Sequence, residues 1–241
     1  MNGKARRPGR TARQSERLAG CARTGFFLLA LSVVILSNLP LRAGSTATVV
    51  FSLNFPNSDP EHYSISVSSD GHAHYECTAR ISGDSDDRED YQSDFSLSEA
   101  TRARIFQLAE QAHYFSGKID AGKKKLAFTG DKKLTYKDDQ KSFTADYNYS
   151  SEPPVQELTT LFQSTAATLE FGRHLIFYHR YQKLGLDDEL KQMEDEYRRG
   201  DLSEVQAVRP VLQQIYDDPS VLNVVRARAQ RLMEMAKTPA Q

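Results

Sequence analysis

His72, His74 and Glu76 are the residues of this sequence whose types and spacing best suit metal chemistry. They occupy alternate positions, so an extended backbone places all three side chains on one face. Imidazole nitrogens and carboxylate oxygens are ligands that zinc and related divalent metals accept. The segment therefore predicts a divalent metal site whose open position could activate water, as in a metal-dependent hydrolase.

The same three residues have a plainer interpretation as the solvent-facing side of a β-strand. His and Glu are ordinary at exposed strand positions, and the neighbouring Cys77 points to the opposite face, so no fourth ligand is visible. A catalytic metal also needs groups that orient its imidazoles and a cleft that excludes solvent. We favour ordinary surface and keep metal binding as the alternative, with no other cofactor expected.

A hairpin over residues 62–78 is predicted to position these side chains. Apolar residues alternate with polar ones along both arms: Tyr63, Ile65 and Val67 on the first, Ala73, Tyr75 and Cys77 on the second. A three-residue loop, Ser69-Asp70-Gly71, aligns the two apolar faces, whereas a two-residue turn would place apolar residues opposite imidazoles. Gly71 suits this loop because its third position takes a left-handed backbone.

Residues 1–43 are predicted to be an export signal. Seven basic residues lie between Met1 and Arg23, the apolar run Phe26–Leu36 follows, and small residues come next. This order is typical of a cleaved secretory signal, and the run is shorter than the roughly 20 residues of a membrane span. We expect release into the periplasm or the medium, and the alternative is an inner-membrane anchor over residues 26–41.

The processed chain is predicted to be acidic. Removing residues 1–43 takes away eight basic residues and one acidic residue, which changes the formal net charge from −1 to −8. This charge argues against bulk binding to nucleic acid or anionic lipid, so membrane contact is expected only if the first segment is retained. Cys77 would be the sole cysteine left, so no intramolecular disulfide is expected.

Two regions follow the export signal. Strand patterns with one helix predict an α+β domain at 48–150, built on a small antiparallel sheet, and helical periodicity predicts an all-helical region at 153–237. The change falls at Pro153-Pro154. The predicted core of the first domain is Tyr63, Ile65, Val67, Tyr75, Ile105, Phe106, Leu108, Phe143 and Tyr147.

Three local signals divide the 48–150 domain further. The acidic stretch Gly83–Asp94 predicts a solvated loop. Ser96 and Glu99 have the spacing of a capping box, which predicts a helix that lies across the apolar face of the sheet. Asp138-Asp139-Gln140 predicts the turn of a second hairpin, with lysines on its solvent-facing side.

The helical region shows an apolar stripe that continues through Gly172 and Ile176, which fits either one long helix or two joined near Gly172. Gly200 is expected to end the next helix. Asp218-Pro219 is expected to cap a final helix with Leu222 facing inward. The aromatic residues near His174 are interpreted first as packing and second as a partner surface.

The residues from Tyr63 to Tyr75, followed by Ile105-Phe-Gln-Leu108 and Tyr114-Phe115, resemble a domain of unknown function found in exported bacterial proteins. The likeness covers residues 48–150 and consists of a strand, an Asp-Gly turn, a strand and a helix. It implies no catalytic residues, and the helical region looks like an addition to that domain.

No phosphate-binding glycine loop, nucleophile elbow or paired-cysteine metal motif occurs in the sequence. Catalytic groups distant in sequence stay open, because triads assemble only in the fold. We therefore expect a non-enzymatic envelope protein that binds another envelope protein or itself through the helical region. The alternative is a metal-binding protein or metal-dependent hydrolase that uses His72, His74 and Glu76.

Overall fold

A six-stranded antiparallel sheet occupies the first half of the described chain. The computed structural model describes residues 46–81, 87–122 and 127–237. The strands are β1 Thr48–Asn54, β2 His62–Ser68, β3 His72–Arg80, β4 Arg88–Ser96, β5 Asp131–Lys137 and β6 Ser142–Tyr147. Their order across the sheet is β4-β3-β2-β1-β5-β6, so β1 lies between β2 and β5.

Helices make up most of the rest. They are α1 Glu99–Gln111, α2 Pro153–Tyr181, α3 Leu186–Arg199, α4 Arg209–Asp217 and α5 Asn223–Met235, with 3-10 turns at His113–Phe115, Lys183–Gly185 and Val205–Val208. Four of the five α-helices follow the sheet. The fold is therefore α+β with a helical C-terminal region, as predicted.

The β2–β3 hairpin has the predicted register. Val67 pairs with Ala73 and Ile65 pairs with Tyr75, and all four side chains are buried. Gly71 has a φ of +94°, a backbone conformation that side-chain-bearing residues rarely adopt. The three-residue loop is confirmed, and it leaves the polar side of the hairpin facing solvent.

The apolar face of the sheet packs against two helices. Ile105 and Leu108 of the predicted packed helix α1 are buried in the core. Phe162 of α2 stacks on Phe51 of β1, with ring centroids 5.3 Å apart and ring planes 6° from parallel. Tyr147 of β6 also hydrogen-bonds Thr159 of α2 through its hydroxyl. The helical region therefore shares a core with the sheet.

The acidic stretch predicted as a loop is, in its described part, an edge strand. Residues 82–86 lie outside the described residues, and β4 begins at Arg88. Phe95 is buried and Tyr91 is half-buried, whereas the acidic residues Asp90 and Asp94 are exposed. An edge strand with one face exposed to solvent shows a weak alternation of apolar and polar residues. Charged side chains on such a strand disfavour pairing with the strands of other chains. The loop prediction was therefore wrong here.

The predicted capping box is wrong by two residues. Ser98 is the N-cap of α1, and its Oγ accepts a hydrogen bond from the Thr101 backbone N–H. Glu99 was expected to reach back to the backbone N–H of Ser96, but the N–H of the actual N-cap, Ser98, donates to Glu204 Oε2 at 2.7 Å. Glu99 forms an ion pair with Arg102. A carboxylate far along the chain therefore completes this helix terminus.

Two residues of the predicted core are not fully buried. Phe143 is 36% exposed, because it lies near the start of the edge strand β6, opposite Tyr136. Phe106 is half-buried at the margin of the core. The other seven residues of that prediction are buried.

The helical region departs from prediction at Ile176, Leu222 and Asp218. Helix α2 continues through Gly172, where an added Cβ would lie 2.5 Å from Val208 Cγ1, so the glycine permits close helix packing. Ile176 and Leu222 are exposed rather than buried, against prediction. Asp218 does not cap α5, because its carboxylate binds His179, Lys183 and Ser220. Gly200 ends α3 with a φ of +80°, as expected.

Helix α1 ends in a single left-handed turn. His113, Tyr114 and Phe115 have φ values of 50°, 57° and 66°. This conformation costs about 1–2 kcal/mol for each residue with a side chain. Burial of Phe115 and contact of the Tyr114 and Tyr136 rings, whose centroids are 4.6 Å apart, offset that cost.

Candidate functional site

The three candidate metal ligands line the exposed face of β3. His74 Nδ1 lies 2.7 Å from Asp94 Oδ1 of β4, and this surface pair has side chains 38% and 90% exposed. His72 and Glu76 are exposed on either side. Within the described residues, no three His, Cys, Asp or Glu side chains are grouped so that they could hold a metal ion. Metal binding by these residues stays a prediction.

A groove of about 980 Å³ lies between α1, α2 and the ends of α3 and α5. We call it the helical groove. Its apolar lining includes Ala100, Leu161, Tyr197, Leu202 and Met235. Gly200, the residue that ends α3, also lines it. Tyr197 donates its hydroxyl hydrogen to the Met235 carbonyl at 3.0 Å, which fixes the end of α5 beside the groove.

Several polar groups that line the helical groove are bound to one another. Arg104 donates from Nε and Nη2 to the two carboxylate oxygens of Glu157, at 2.6 and 2.5 Å. These hydrogen bonds lower the pKa of Glu157, so the carboxylate stays charged at neutral pH. The Ser164 and Ser203 hydroxyls lie 2.6 Å apart. The Glu157 carboxylate and these two hydroxyls are therefore engaged within the protein.

A buried polar network joins the sheet to α2. Tyr75 Oη donates to Glu170 Oε1 at 2.6 Å, and Cys77 Sγ contacts the same oxygen at 3.3 Å. Arg173 donates to Glu170 Oε2 from Nε at 3.0 Å and from Nη2 at 2.8 Å. Its Nη1 donates to the Arg80 carbonyl at the end of β3 at 2.7 Å. The network is satisfied on every side, so it fixes α2 on the sheet.

Cys77 is not positioned to act as a nucleophile. Burial, and then the negative charge of Glu170, raise the pKa of its thiol to about 12. The same two causes raise the pKa of Tyr75. Since the thiolate is the reactive form of cysteine, this thiol is inert at neutral pH. The network is therefore structural.

Sequence reasoning missed Glu170 and Arg173. Their spacing of three residues on a helix is a signal for an ion pair. Nothing local to Tyr75 or Cys77 indicates that α2 would supply the carboxylate. The sequence therefore indicates the ion pair within α2, but it does not indicate the hydrogen bonds from α2 to the sheet.

The end of α2 carries an exposed apolar tip. Ile176, Tyr181 and Leu184 are 44%, 64% and 86% exposed. Phe177 lies beside Tyr181, with ring centroids 5.3 Å apart. Phe171, one of the same aromatic group, is buried. Some aromatic residues of this helix therefore pack in the core, and others lie on the surface.

Comparison with known proteins does not extend this description. No protein-family model matches the chain, and no curated protein is significantly similar to it. Across the part of the chain that the structure describes, none of the helices combines the length and apolar character that crossing a membrane requires.

Proposed function

We propose that the protein is a non-enzymatic envelope protein that binds another protein, or a second copy of itself, through its helical region. The helical groove carries this proposal. Its volume lies at the upper end of the roughly 300–1,000 Å³ range of ligand sites, and its lining is mainly apolar. Grooves between helices are a common docking site for an amphipathic segment of a partner.

The chemistry of the groove supports binding over catalysis. Glu157 is held by Arg104, and the serine hydroxyls bond to each other. A partner that inserts apolar side chains would gain free energy by removing this surface from water. The exposed tip at Tyr181 and Leu184 provides a second apolar surface on the same chain. Self-association would join the two surfaces head to tail, which produces a ring or a filament.

Replacing Ala100 by glutamate is expected to weaken partner recovery from an envelope extract by about tenfold or more, because docking would bury a charged side chain in a mainly apolar groove. Ala100 is exposed in the first turn of α1 and lines the groove. An acidic residue at a helix N-terminus is favourable, so the variant should fold. The measurement is a quantitative pull-down, together with sedimentation at several protein concentrations to detect self-association.

Ala103→Glu is the matched control for this experiment. It adds the same charge to an exposed position of the same helix, and Ala103 does not line the groove. Partner recovery and self-association by this variant should equal those of the unmodified chain. Undiminished recovery and association by Ala100→Glu would exclude the groove as the docking site.

Deletion of residues 153–237 would not test the proposal cleanly. The deletion removes Phe162 from its stack on Phe51 and removes the carboxylate of Glu170 from Tyr75. A sheet with its apolar face uncovered is expected to unfold or aggregate. Point variants on the groove surface are therefore the better choice.

Export remains part of the proposal and has its own test. The basic leader and apolar run lie outside the described residues, so their sequence alone supports an export signal over 1–43. Protein recovered from the periplasm or the medium is expected to lack about the first 43 residues by intact-mass measurement. Recovery of a chain that starts at Met1 from the cytoplasm would contradict export, and recovery of that chain from the inner membrane would support the anchor over residues 26–41.

The resemblance to an uncharacterised family of exported bacterial proteins also stays a prediction. It agrees with the proposal, since that family implies no catalytic residues. Metal binding at His72, His74 and Glu76 remains the alternative function.

A further inference from the structure

A second cleft, of about 470 Å³, lies between the β1–β2 connection and helices α2 and α3. It is separate from the helical groove, with which it shares no lining residue. We call it the acidic cleft. Its lining combines carboxylates with aromatic rings, and neither Lys nor Arg lines it.

The acidic cleft carries excess negative charge. Four carboxylates line it: Asp59, Glu170, Glu189 and Glu196. Arg173, which is not part of the lining, binds Glu170 through two hydrogen bonds, so this pair is neutral as a unit. Asp59 and Glu196 accept hydrogen bonds from uncharged groups, the Arg80 backbone N–H and the Gln192 amide. Three negative charges therefore face the cleft without a basic residue in its lining.

Glu189 is a largely enclosed carboxylate of this cleft. Its side chain is 12% exposed, and Oε1 lies 2.9 Å from His174 Nδ1. The other nitrogen of His174, Nε2, lies 3.0 Å from Arg173 Nη2. A guanidinium can only donate, so in this geometry Nε2 accepts from Arg173 and Nδ1 faces the carboxylate. His174 thus orients the Glu189 carboxylate toward the cleft.

Aromatic residues provide other parts of the wall. Phe171 and Tyr178 of α2 and Tyr63 of β2 line the cleft. The face of an aromatic ring attracts a cation, and the attraction is stronger where water is partly excluded. Carboxylates beside aromatic rings are a combination that selects alkylammonium and guanidinium groups.

A single metal ion does not fit this arrangement. Among the described residues, no three acidic, histidine or cysteine side chains are grouped closely enough to coordinate one ion. The carboxylates are instead distributed around a volume large enough for several carbon atoms. We infer that the acidic cleft binds an organic cation, with an ammonium or guanidinium group at Glu189 and its carbon chain against the aromatic wall.

Calorimetric titration of the processed chain with three probes tests this inference. The probes are 1,4-diaminobutane, the blocked amino acid Nα-acetyl-lysine methylamide, and uncharged 1,4-butanediol. A saturable site for either cation, with no binding of the diol, is the expected result. Tighter binding of the diamine would indicate a free amine as the natural ligand, and tighter binding of the blocked lysine would indicate a basic side chain of a partner protein.

Two variants test whether the cation binds at Glu189. Glu189→Gln keeps the shape of the side chain and should raise Kd for the bound cation by about tenfold, because it removes a charge-assisted hydrogen bond. Glu110→Gln makes the same charge change at an exposed position of α1 outside the cleft, and it should leave Kd unchanged. Thermal unfolding of both variants checks that they are folded.

Three results would overturn the inference. One is the absence of binding by both cations, and another is equal binding of the diol. The third is an equal loss of affinity in Glu189→Gln and Glu110→Gln, since that would show attraction by overall charge only. The helical groove plays no part in these measurements, so they are independent of the proposed protein-binding function.

Discussion

Replacing Glu170 by alanine is expected to lower the free energy of unfolding by about 3–5 kcal/mol, the usual cost of leaving one member of a buried ion pair alone. The side chains of Arg173 and Glu170 are only 3% and 13% exposed, so solvent screens the pair poorly. The substitution also removes the acceptor for Tyr75 Oη. Urea unfolding followed by circular dichroism measures the change.

Two further variants separate the cost of leaving Arg173 unpaired from the cost of shortening a side chain. A double variant, Glu170→Leu with Arg173→Met, removes both charges and should be more stable than Glu170→Ala. Glu110→Ala, at an exposed position, should change stability by no more than about 0.5 kcal/mol. A Glu170→Ala variant as stable as Glu110→Ala would show that the buried guanidinium does not depend on this carboxylate.

Phe162→Ala is expected to cost about 3–5 kcal/mol, because it removes a buried ring and leaves a cavity. Phe162 is 1% exposed and stacks on Phe51, so the cavity would open between α2 and the sheet. We expect the remaining structure to unfold in one transition at lower denaturant concentration, since sheet and helices share this core. Far-ultraviolet circular dichroism and tyrosine fluorescence should report the same midpoint.

Leu184→Ala is the control for Phe162→Ala. Leu184 is 86% exposed, so its truncation should leave the midpoint nearly unchanged. Separate midpoints for the two signals in Phe162→Ala would show instead that sheet and helices are independent folding units.

The β2–β3 hairpin was predictable because its information is local. The alternation of Ile65 and Val67 with serines sets the face, and Gly71 sets the loop. The register follows from these few residues without reference to the rest of the chain. The second hairpin, with its turn at Asp138, follows from the same kind of signal.

The edge strands of the sheet, β4 and β6, were less predictable from the sequence. β4 lacks an apolar alternation over much of its length, because its exposed positions carry acidic side chains such as Asp90 and Asp94. Phe143 lies on the same face of β6 as the buried Ala145 and Tyr147, but its position near the start of an edge strand leaves it partly exposed to solvent. The alternation of side chains predicts which face of a strand a residue lies on. Whether that residue is buried depends on how far the helices extend over that face.

The candidate surfaces could not be predicted from local pattern. Glu189 faces the acidic cleft from α3, and Asp59 faces it from the β1–β2 connection. The helical groove likewise needs α1, α2 and the end of α5. Each segment looks like ordinary amphipathic structure alone, and only tertiary packing brings the segments together.

The bond from Ser98 to Glu204 has a consequence for the order in which the chain can fold. The start of α1 is completed by a residue that is synthesised more than one hundred positions later. Contacts between distant residues form slowly, since a long loop must close before they stabilise anything. The sheet and α1 are therefore expected to remain incompletely folded until the last third of the chain has emerged. If the chain is exported, as proposed, this delay would keep it incompletely folded while it crosses the membrane.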